Sequence, residues 1–431
     1  MARRLTYWII AALIAGLVVG WGLHSAIDDG TPAAAAKLTD IAGYFAVLTT
    51  VFLRLIKMII APLVFATLVV GIAHMGDTAT LGRVGLKSLG WFLCASLMSL
   101  LLGLFLVNLL QPGVGLGLPI PPVTAASGVV RTGFDLKDFV AHIVPASMIA
   151  AMADNEILQI VVFSVFVGVA ITAVGDAAAP LVRGVEALSA VMLRITDYVM
   201  RFAPVAVFAA VASTLAERGP GVLRDLGYFM ASFYLGLFLL WALLIGIGFV
   251  LIGGRMRLLV RYIRDPLLLA FTTASSEAAY PRTLEALDRF GVPARIASFV
   301  LPLGYSFNLD GSMMYMTFAS LFIAQAYGIH LQLGEQVTML LVLMVTSKGI
   351  AGVPRASLVV IAATLSMFHI PEAGLLLILA VDHFLDMGRS ATNVIGNAVA
   401  ASVVAIWEGG LEPRLPADID PPPAPSSGLL H

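Results

Sequence analysis

The chain has 431 residues, 60% hydrophobic and only 12% charged, with 25 Lys and Arg against 26 Asp and Glu and a mean hydropathy of +0.97. Soluble domains carry about 25% charged residues, so this is the composition of a polytopic membrane protein, with lipid around it and no nucleic-acid partner expected. The single cysteine, Cys94, excludes an intrachain disulfide framework and a thiolate metal cluster.

Apolar segments long enough to span fall near 7–26, 41–73, 89–110, 157–175, 186–213 and 226–252, each bounded by polar, Gly or Pro residues. The first is read as a spanning helix rather than a signal peptide, because no small-residue cleavage site leads into a soluble domain. Trp8 and Trp21 mark its two interfaces. The second segment is too long for one perpendicular span and carries Arg54, Lys57 and Pro62, which predicts steep tilt or packing on protein. Arg54 and Lys57 can equally snorkel to an interface. Arg3, Arg4, Arg83, Lys87, Arg183 and the run Arg255, Arg257, Arg261 and Arg264 fall on one side if the spans alternate. That bias makes the side cytoplasmic, and places both chain ends there in a cell inner membrane. Residues 111–133 read as a Gly/Pro-rich external loop, and 409–431 as a Pro-rich disordered tail.

From 265 the pattern changes. Asp265 to Arg289 and Thr338 to Phe368 each read as a short apolar half, a small-residue tip (TTASSEAAYPR and TSKGIAGVPR) and a second short half. Neither can cross the bilayer twice as full helices, so each is expected to be a re-entrant hairpin covered by protein or lining a cavity. A full span follows each, at 297–328 and 373–407. The fold expected is all-α, with eight transmembrane helices plus two re-entrant helical hairpins. Two corresponding interrupted segments point to a transporter built on inverted repeats, with its site where the tips meet.

The last span holds the main polar stripe. Asp382, Asp386, Arg389, Asn393 and Asn397 lie four, three, four and four residues apart, on one face of a helix. A charged side chain at mid-membrane costs on the order of 3 kcal/mol, so three facing lipid would cost about 9 kcal/mol. The stripe must face a partner, a cavity or a ligand. Arg389 offers a fork suited to a carboxylate, and Asp386, one turn away, suits an ammonium; the two could instead satisfy each other as a buried ion pair. Hairpin tips add backbone N–H groups for a second carboxylate. Together these describe a ligand with two carboxylates and one amine, glutamate or aspartate. In the preceding span GYSFNLDGS, Gly304 to Ser312, combines helix-loosening glycines with the oxygens of Asn308 and Asp310. Such an oxygen-rich, part-unwound segment suits a hard cation such as Na⁺, unless the patch only glues helices together.

RLIKMIIAPLVF (54–65), TTASSEAAYP, GYSFNLDGS, TSKGIAGVP and LDMGRSATNVIGN together resemble the dicarboxylate/amino acid:cation symporter family, which includes the excitatory amino-acid transporters. Within it the chain is similar to the bacterial proton/sodium–glutamate symporters. The resemblance implies a homotrimer and an elevator-type transporter. Scaffold elements would lie in 1–75 and 112–224. A transport domain would comprise 76–111 and 225–408, with both hairpins. It implies that Ser275 and Ser276, with the Gly352–Val353 backbone, hold the main-chain carboxylate. Ser312, Asp386, Arg389, Ser390 and Asn393 would complete the pocket, Asp386 taking the amino group and Arg389 the side-chain carboxylate. Members carrying four-carbon dicarboxylates typically lack the acid at the Asp386 position, and neutral amino-acid carriers typically lack the arginine; this sequence keeps both.

The cation sites depart from the family pattern. NMDGT is NLDGS here, an expected Asp is Asn397, and the third-helix positions are Phe92, Ala95 and Ser96. Gly304, Ser306, Asn308 and Asp310 remain, with carbonyls of Ser347, Lys348, Ile350 and Asn393. Na⁺ is therefore left open at Gly304, Asn308, Asn393 and Asn397, and coupling leans toward H⁺. Glu277, at the first tip, is a candidate proton carrier or a capping or gating carboxylate, with Asp310 and Asp386 as rivals. His383 is a relay or a packing residue. No cofactor, metal-ligand cluster or nucleophile–base pair is expected, so the chain reads as a symporter for acidic amino acids, not an enzyme. The alternative is a symporter of the same fold for succinate, fumarate or malate.

Overall fold

The computed structural model describes residues 2–73, 78–115, 120–121, 136–219, 226–347, 356–379 and 381–411. Most of the external-loop stretch 111–133, most of the tail and the second hairpin tip, with Lys348, Ile350, Gly352, Val353 and Arg355, lie outside the described residues.

Every regular element among the described residues is helical. In chain order they are α1 (Ala2–Ile27), α2 (Pro32–Ala73), α3 (Thr78–Leu110), α4 (Leu136–His142), α5 (Met148–Ala153), α6 (Ile157–Val174), α7 (Ala179–Met200), α8 (Ala203–Arg218) and α9 (Gly227–Ile252). There follow α10 (Met256–Tyr262), α11 (Arg264–Thr273), α12 (Tyr280–Phe290), α13 (Ala294–Phe307), α14 (Asp310–Ala326), α15 (Leu333–Thr346), α16 (Ala356–Met367), α17 (Leu375–Leu379) and α18 (Asp382–Trp407). Among these residues, 6 helical stretches are long and apolar enough to cross a membrane: Tyr7–Ile27, Pro32–Ala73, Thr80–Leu110, Ile157–Met200, Gly227–Tyr262 and Asp382–Trp407. The chain is a multi-pass membrane protein.

Three of the expected spans are broken. The segment 186–213 divides into α7 and α8, with Pro204 in the first turn of α8. Proline has no N–H to continue the preceding helix and a fixed φ that starts the next one well. The span 297–328 divides into α13 and α14 at Asn308 and Leu309, which leave helical geometry. The span 373–407 begins as a 3-10 turn and the short α17, and only α18 is a long helix. The second span, by contrast, is longer than its apolar run, because α2 starts at Pro32 and continues through Pro62.

At the first hairpin, α11 ends where Ala274 turns left-handed at φ +49, a conformation costing an L-residue about 1 kcal/mol. Ser275 Oγ then accepts a hydrogen bond from the Ala278 N–H at 3.2 Å, opening the 3-10 turn Glu277–Ala279. Pro281 in the first turn of α12 sends the chain back. The tip is therefore shorter than the eleven-letter TTASSEAAYPR, whose Tyr-Pro-Arg end is already helix.

Helices α1, α2, α6, α7 and α8 pack on one another, with α2 touching α6, α7 and α8. A second group surrounds α18. Helices α9, α11, α13 and α14 pack on it, α3 and α16 pack on α14, and α15 packs on α3. The groups meet where α13 lies on α2 and α6, and where α11 touches α1 and α8. Among the described residues an ion pair crosses this seam, Arg282 on α12 bonding Asp197 on α7 at 2.8 Å, and Arg282 also bonds Glu285 on its own helix at 2.9 Å. The end of α18 is tied to α3, where Lys87 Nζ bonds Glu408 Oε1 and donates to the Trp407 carbonyl, both at 2.6 Å.

Candidate functional site

The sequence places the stripe on α18, and packing turns it inward. From Gly388 to Ala405 every residue of that helix is buried. The stripe therefore has only protein groups or a ligand to satisfy it, and its two halves meet different partners.

The first half is built around Arg389, which is 3% exposed. Its Nη2 bonds Asp386 Oδ1 at 2.9 Å and lies 3.5 Å from Asp382 Oδ1. Its guanidinium carbon lies 4.1 Å from the centroid of the Tyr315 ring on α14. The Tyr315 hydroxyl donates to Asp382 Oδ1 at 2.9 Å. An aromatic face, one carboxylate behind and one beside the cation thus hold the guanidinium in place. Its Nε and Nη1 are buried with no hydrogen-bond partner among the described residues. Buried donors of a charged group are seldom left unmet, so these two nitrogens mark a place on α18 where an acceptor is called for. Asp386 differs from its neighbours: its side chain is 38% exposed. The buried ion pair that the spacing permitted does form, but it uses only part of either group.

Helix α9 fixes the backbone beneath this half. The Tyr234 hydroxyl donates to the Phe384 carbonyl at 2.5 Å, and Trp241 Nε1 donates to Thr392 Oγ1 at 2.7 Å. Ser390 Oγ lies 3.5 Å from Asp386 Oδ1, and Ser312 is partly buried in the first turn of α14.

The second half faces the break between α13 and α14. The Gly311 N–H donates to Asn393 Oδ1 at 3.0 Å, and Asn308 Nδ2 donates to Asn397 Oδ1 at 3.2 Å. Ser99 on α3 donates to Asp310 Oδ1 at 3.4 Å, and Ser96 Oγ donates to the Phe307 carbonyl at 3.4 Å. Asn308, Asp310 and Ser99 are 0% exposed, Asn397 1% and Ser306 2%. Asn308 Oδ1 and the Ser306 hydroxyl have no hydrogen-bond partner among the described residues. Neutral oxygens around one carboxylate suit a small hard cation or a proton. Phe92 and Ala95, also buried on α3, add no side-chain oxygen to this wall.

Glycine makes the second half possible. A Cβ on Gly396 would land on Oδ2 of Asp310, and one on Gly304 would land on Oδ1 of Asn397. The closest atoms are polar groups of the cluster itself. Gly396→Ala is therefore expected to displace the Asp310 carboxylate and to weaken uptake at least tenfold while the protein still folds. Uptake and thermal unfolding of the same preparation check this, and wild-type uptake would show that Asp310 tolerates displacement.

Ser275 and Ser276, both partly buried, share no hydrogen bond with the α18 stripe among the described residues. Glu277 is also partly buried; its turn packs on α2, and the Lys57 ammonium acts on it across the seam. Ser347 is buried at the end of α15, its hydroxyl donating to the Met344 carbonyl at 3.0 Å. Tyr315, Ser99, Tyr234 and Trp241 are not among the residues the sequence singles out, and Asp382, which belongs to the polar stripe, is given no partner by it. A tyrosine or tryptophan in an apolar helix must find an acceptor for its O–H or N–H. That requirement was the available signal for three of them, although it does not identify the acceptor.

A sequence model described as the sodium:dicarboxylate symporter family matches residues 5–407. The C4-dicarboxylate transport protein of Laribacter hongkongensis (strain HLHK9) is 39% identical over 99% of this chain and 95% of its own length. The proton/sodium-glutamate symport protein of Bacillus caldotenax is 39% identical, covering 94% of each chain. The proton/glutamate-aspartate symporter of Escherichia coli (strain K12) is 39% identical over 94% of this chain and 93% of its own. Equal identity to relatives named for different substrates means that overall similarity does not choose among them.

Proposed function

Because the chain belongs to the sodium:dicarboxylate symporter family, whose members here are transporters and not enzymes, we propose that it imports L-glutamate or L-aspartate coupled to H⁺, with Na⁺ as a second coupling ion. The observation that carries this reading is the pairing on α18. Arg389 keeps buried donors available beside Tyr315, and the part-exposed Asp386 lies 2.9 Å from it. An acidic amino acid places its side-chain carboxylate on the fork and its ammonium on Asp386. A four-carbon dicarboxylate would bring a second carboxylate toward Asp386 without an ammonium between them, which disfavours succinate, fumarate and malate.

In this proposal the hairpin tips, with Ser275, Ser276, Gly352 and Val353, hold the main-chain carboxylate. Ser312, Ser390 and Asn393 line the pocket. Gly304, Ser306, Asn308, Asp310, Asn393 and Asn397, with the Ser347, Lys348 and Ile350 carbonyls, form the cation region. Asn397 lacks a negative charge and Phe92 and Ala95 lack oxygen, so Na⁺ is held weakly and a proton on Glu277, Asp310 or Asp386 carries coupling. The group around α18 moves as an elevator against the group around α2, in a homotrimer in the cell inner membrane with both termini cytoplasmic. The division of helix packing into two groups supports the elevator movement alone.

The test is uptake of labelled L-glutamate, L-aspartate and succinate into proteoliposomes, with inward H⁺ and Na⁺ gradients imposed separately and each ionophore as control. Glutamate or aspartate uptake on the H⁺ gradient in sodium-free buffer is expected. Strict Na⁺ dependence would overturn the coupling assignment, and uptake of succinate alone would overturn the substrate.

A further inference from the structure

The run from Gly253 to Asp265 joins α9 to the first hairpin and carries Arg255, Arg257, Arg261 and Arg264. The last three lie four and three residues apart, so on a continuous helical path they form one stripe. The path is nearly continuous, because Ile263 between α10 and α11 keeps helical dihedrals. All four arginines are exposed. On the opposite face Met256 and Leu259 are 0% exposed and Ile263 2%, so the stripe is anchored to the core and turned outward by it. Leu258, 37% exposed, adds an apolar contact beside the charges.

Several other basic groups find carboxylates within the protein. Arg83 and Lys87 share Glu408, Arg282 has Asp197 and Glu285, and Arg389 has Asp386. Among the described residues none of Arg255, Arg257, Arg261 and Arg264 takes part in an ion pair. Like charges at this helical spacing repel, so the counter-charge is to be sought outside the protein. The run follows directly on the 26-residue apolar α9, which ends where Gly253 turns to φ +71. Its guanidinium groups therefore follow the end of a membrane span within about three helical turns, on its lipid-headgroup side. Each presents a planar fork that matches two phosphate oxygens.

We propose that the Arg257–Arg261–Arg264 stripe, with Arg255, docks the phosphate groups of anionic phospholipids in the adjoining leaflet. A free phosphate ion has the same oxygens, but the stripe is an open, exposed row with no enclosing donors and does not shield a single small ion from water. A plane of negative headgroups meets all of its forks at once. The assignment is independent of which substrate the transporter carries.

The experiment uses the purified full-length protein in detergent micelles doped with equal traces of fluorescent phosphatidylglycerol and phosphatidylcholine, and measures the ratio of the two lipids that co-purify. Phosphatidylglycerol is expected to be enriched about fivefold at about 0.1 M salt, falling toward parity at about 0.5 M. R257Q/R261Q/R264Q should bring the ratio near one, and R257K/R261K/R264K should keep most of the enrichment. Thermal unfolding in phosphatidylcholine-only micelles confirms that each variant folds, and the wild-type ratio with its salt dependence reads the proposal without any variant. A wild-type ratio of one, or a folded glutamine variant with undiminished enrichment, overturns the proposal. Displacement of phosphatidylglycerol by about 10 mM inorganic phosphate at constant ionic strength also overturns it, since that marks a soluble-ion site.

Discussion

Asp386→Asn is expected to abolish acidic amino-acid binding while leaving the fold intact. The substitution keeps the size and one oxygen but removes the charge that is proposed to meet the substrate ammonium. Losing one partner of a desolvated charge pair costs about 3 kcal/mol or more, roughly a hundredfold in Kd. The fold is spared because Arg389 keeps Asp382 3.5 Å away and Tyr315 under its guanidinium. The same change should not weaken succinate, which has no ammonium, and it removes the repulsion that Asp386 exerts on a second carboxylate. Equilibrium binding of L-aspartate and succinate to purified wild type and variant checks both directions at once. Unchanged aspartate affinity in the variant would sink the assignment of Asp386.

Arg389→Cys should do more damage, in two separable ways. The pocket loses its fork, so glutamate and aspartate affinity should fall by two orders of magnitude or more. The protein also keeps Asp382 and Asp386 without the cation between them, and removing one partner of a buried pair destabilises by about 3–5 kcal/mol. Lower thermal stability is therefore expected together with the loss of acidic substrates. A neutral amino acid such as serine still offers an ammonium to Asp386 and no longer faces an unpaired guanidinium. It distinguishes an altered pocket from an unfolded one, because serine binding by the variant shows that the site survives. Tight glutamate binding by Arg389→Cys would instead place the side-chain carboxylate elsewhere.

Both experiments concern residues legible in the sequence, and the reason is local. Asp386 and Arg389 belong to one helix, and a period of 3.6 residues puts them on one face whatever surrounds that helix. Tyr315 was not legible, although it forms the floor of the same site. It reaches Arg389 from another helix, across a contact between residues 67 positions apart in the case of its bond to Asp382. Ser99 and Asp310, 211 positions apart, meet for the same reason. The broken spans lie between these cases. Pro204 is a breaker that a long apolar run conceals, whereas the opening at Asn308 and Leu309 lies inside the segment that Gly304 and Gly311 mark as loosened.

Composition and periodicity determined that this chain lives in a membrane, that α18 carries a polar face, that one hairpin turns back near Ser275 and that α13 loosens before Asp310. Each follows from a chain's own hydropathy, helical repeat or turn chemistry, which act over a few residues. Tertiary structure decided that Arg389 lies on Tyr315 with two of its nitrogens buried and lacking an acceptor among the described residues, that Gly396 makes room for Asp310, and that Arg282 reaches across a seam to Asp197. Those outcomes depend on which helices touch and at what height. Packing among long apolar helices fixes that through shape, and shape summed over distant segments leaves no periodic mark in the sequence.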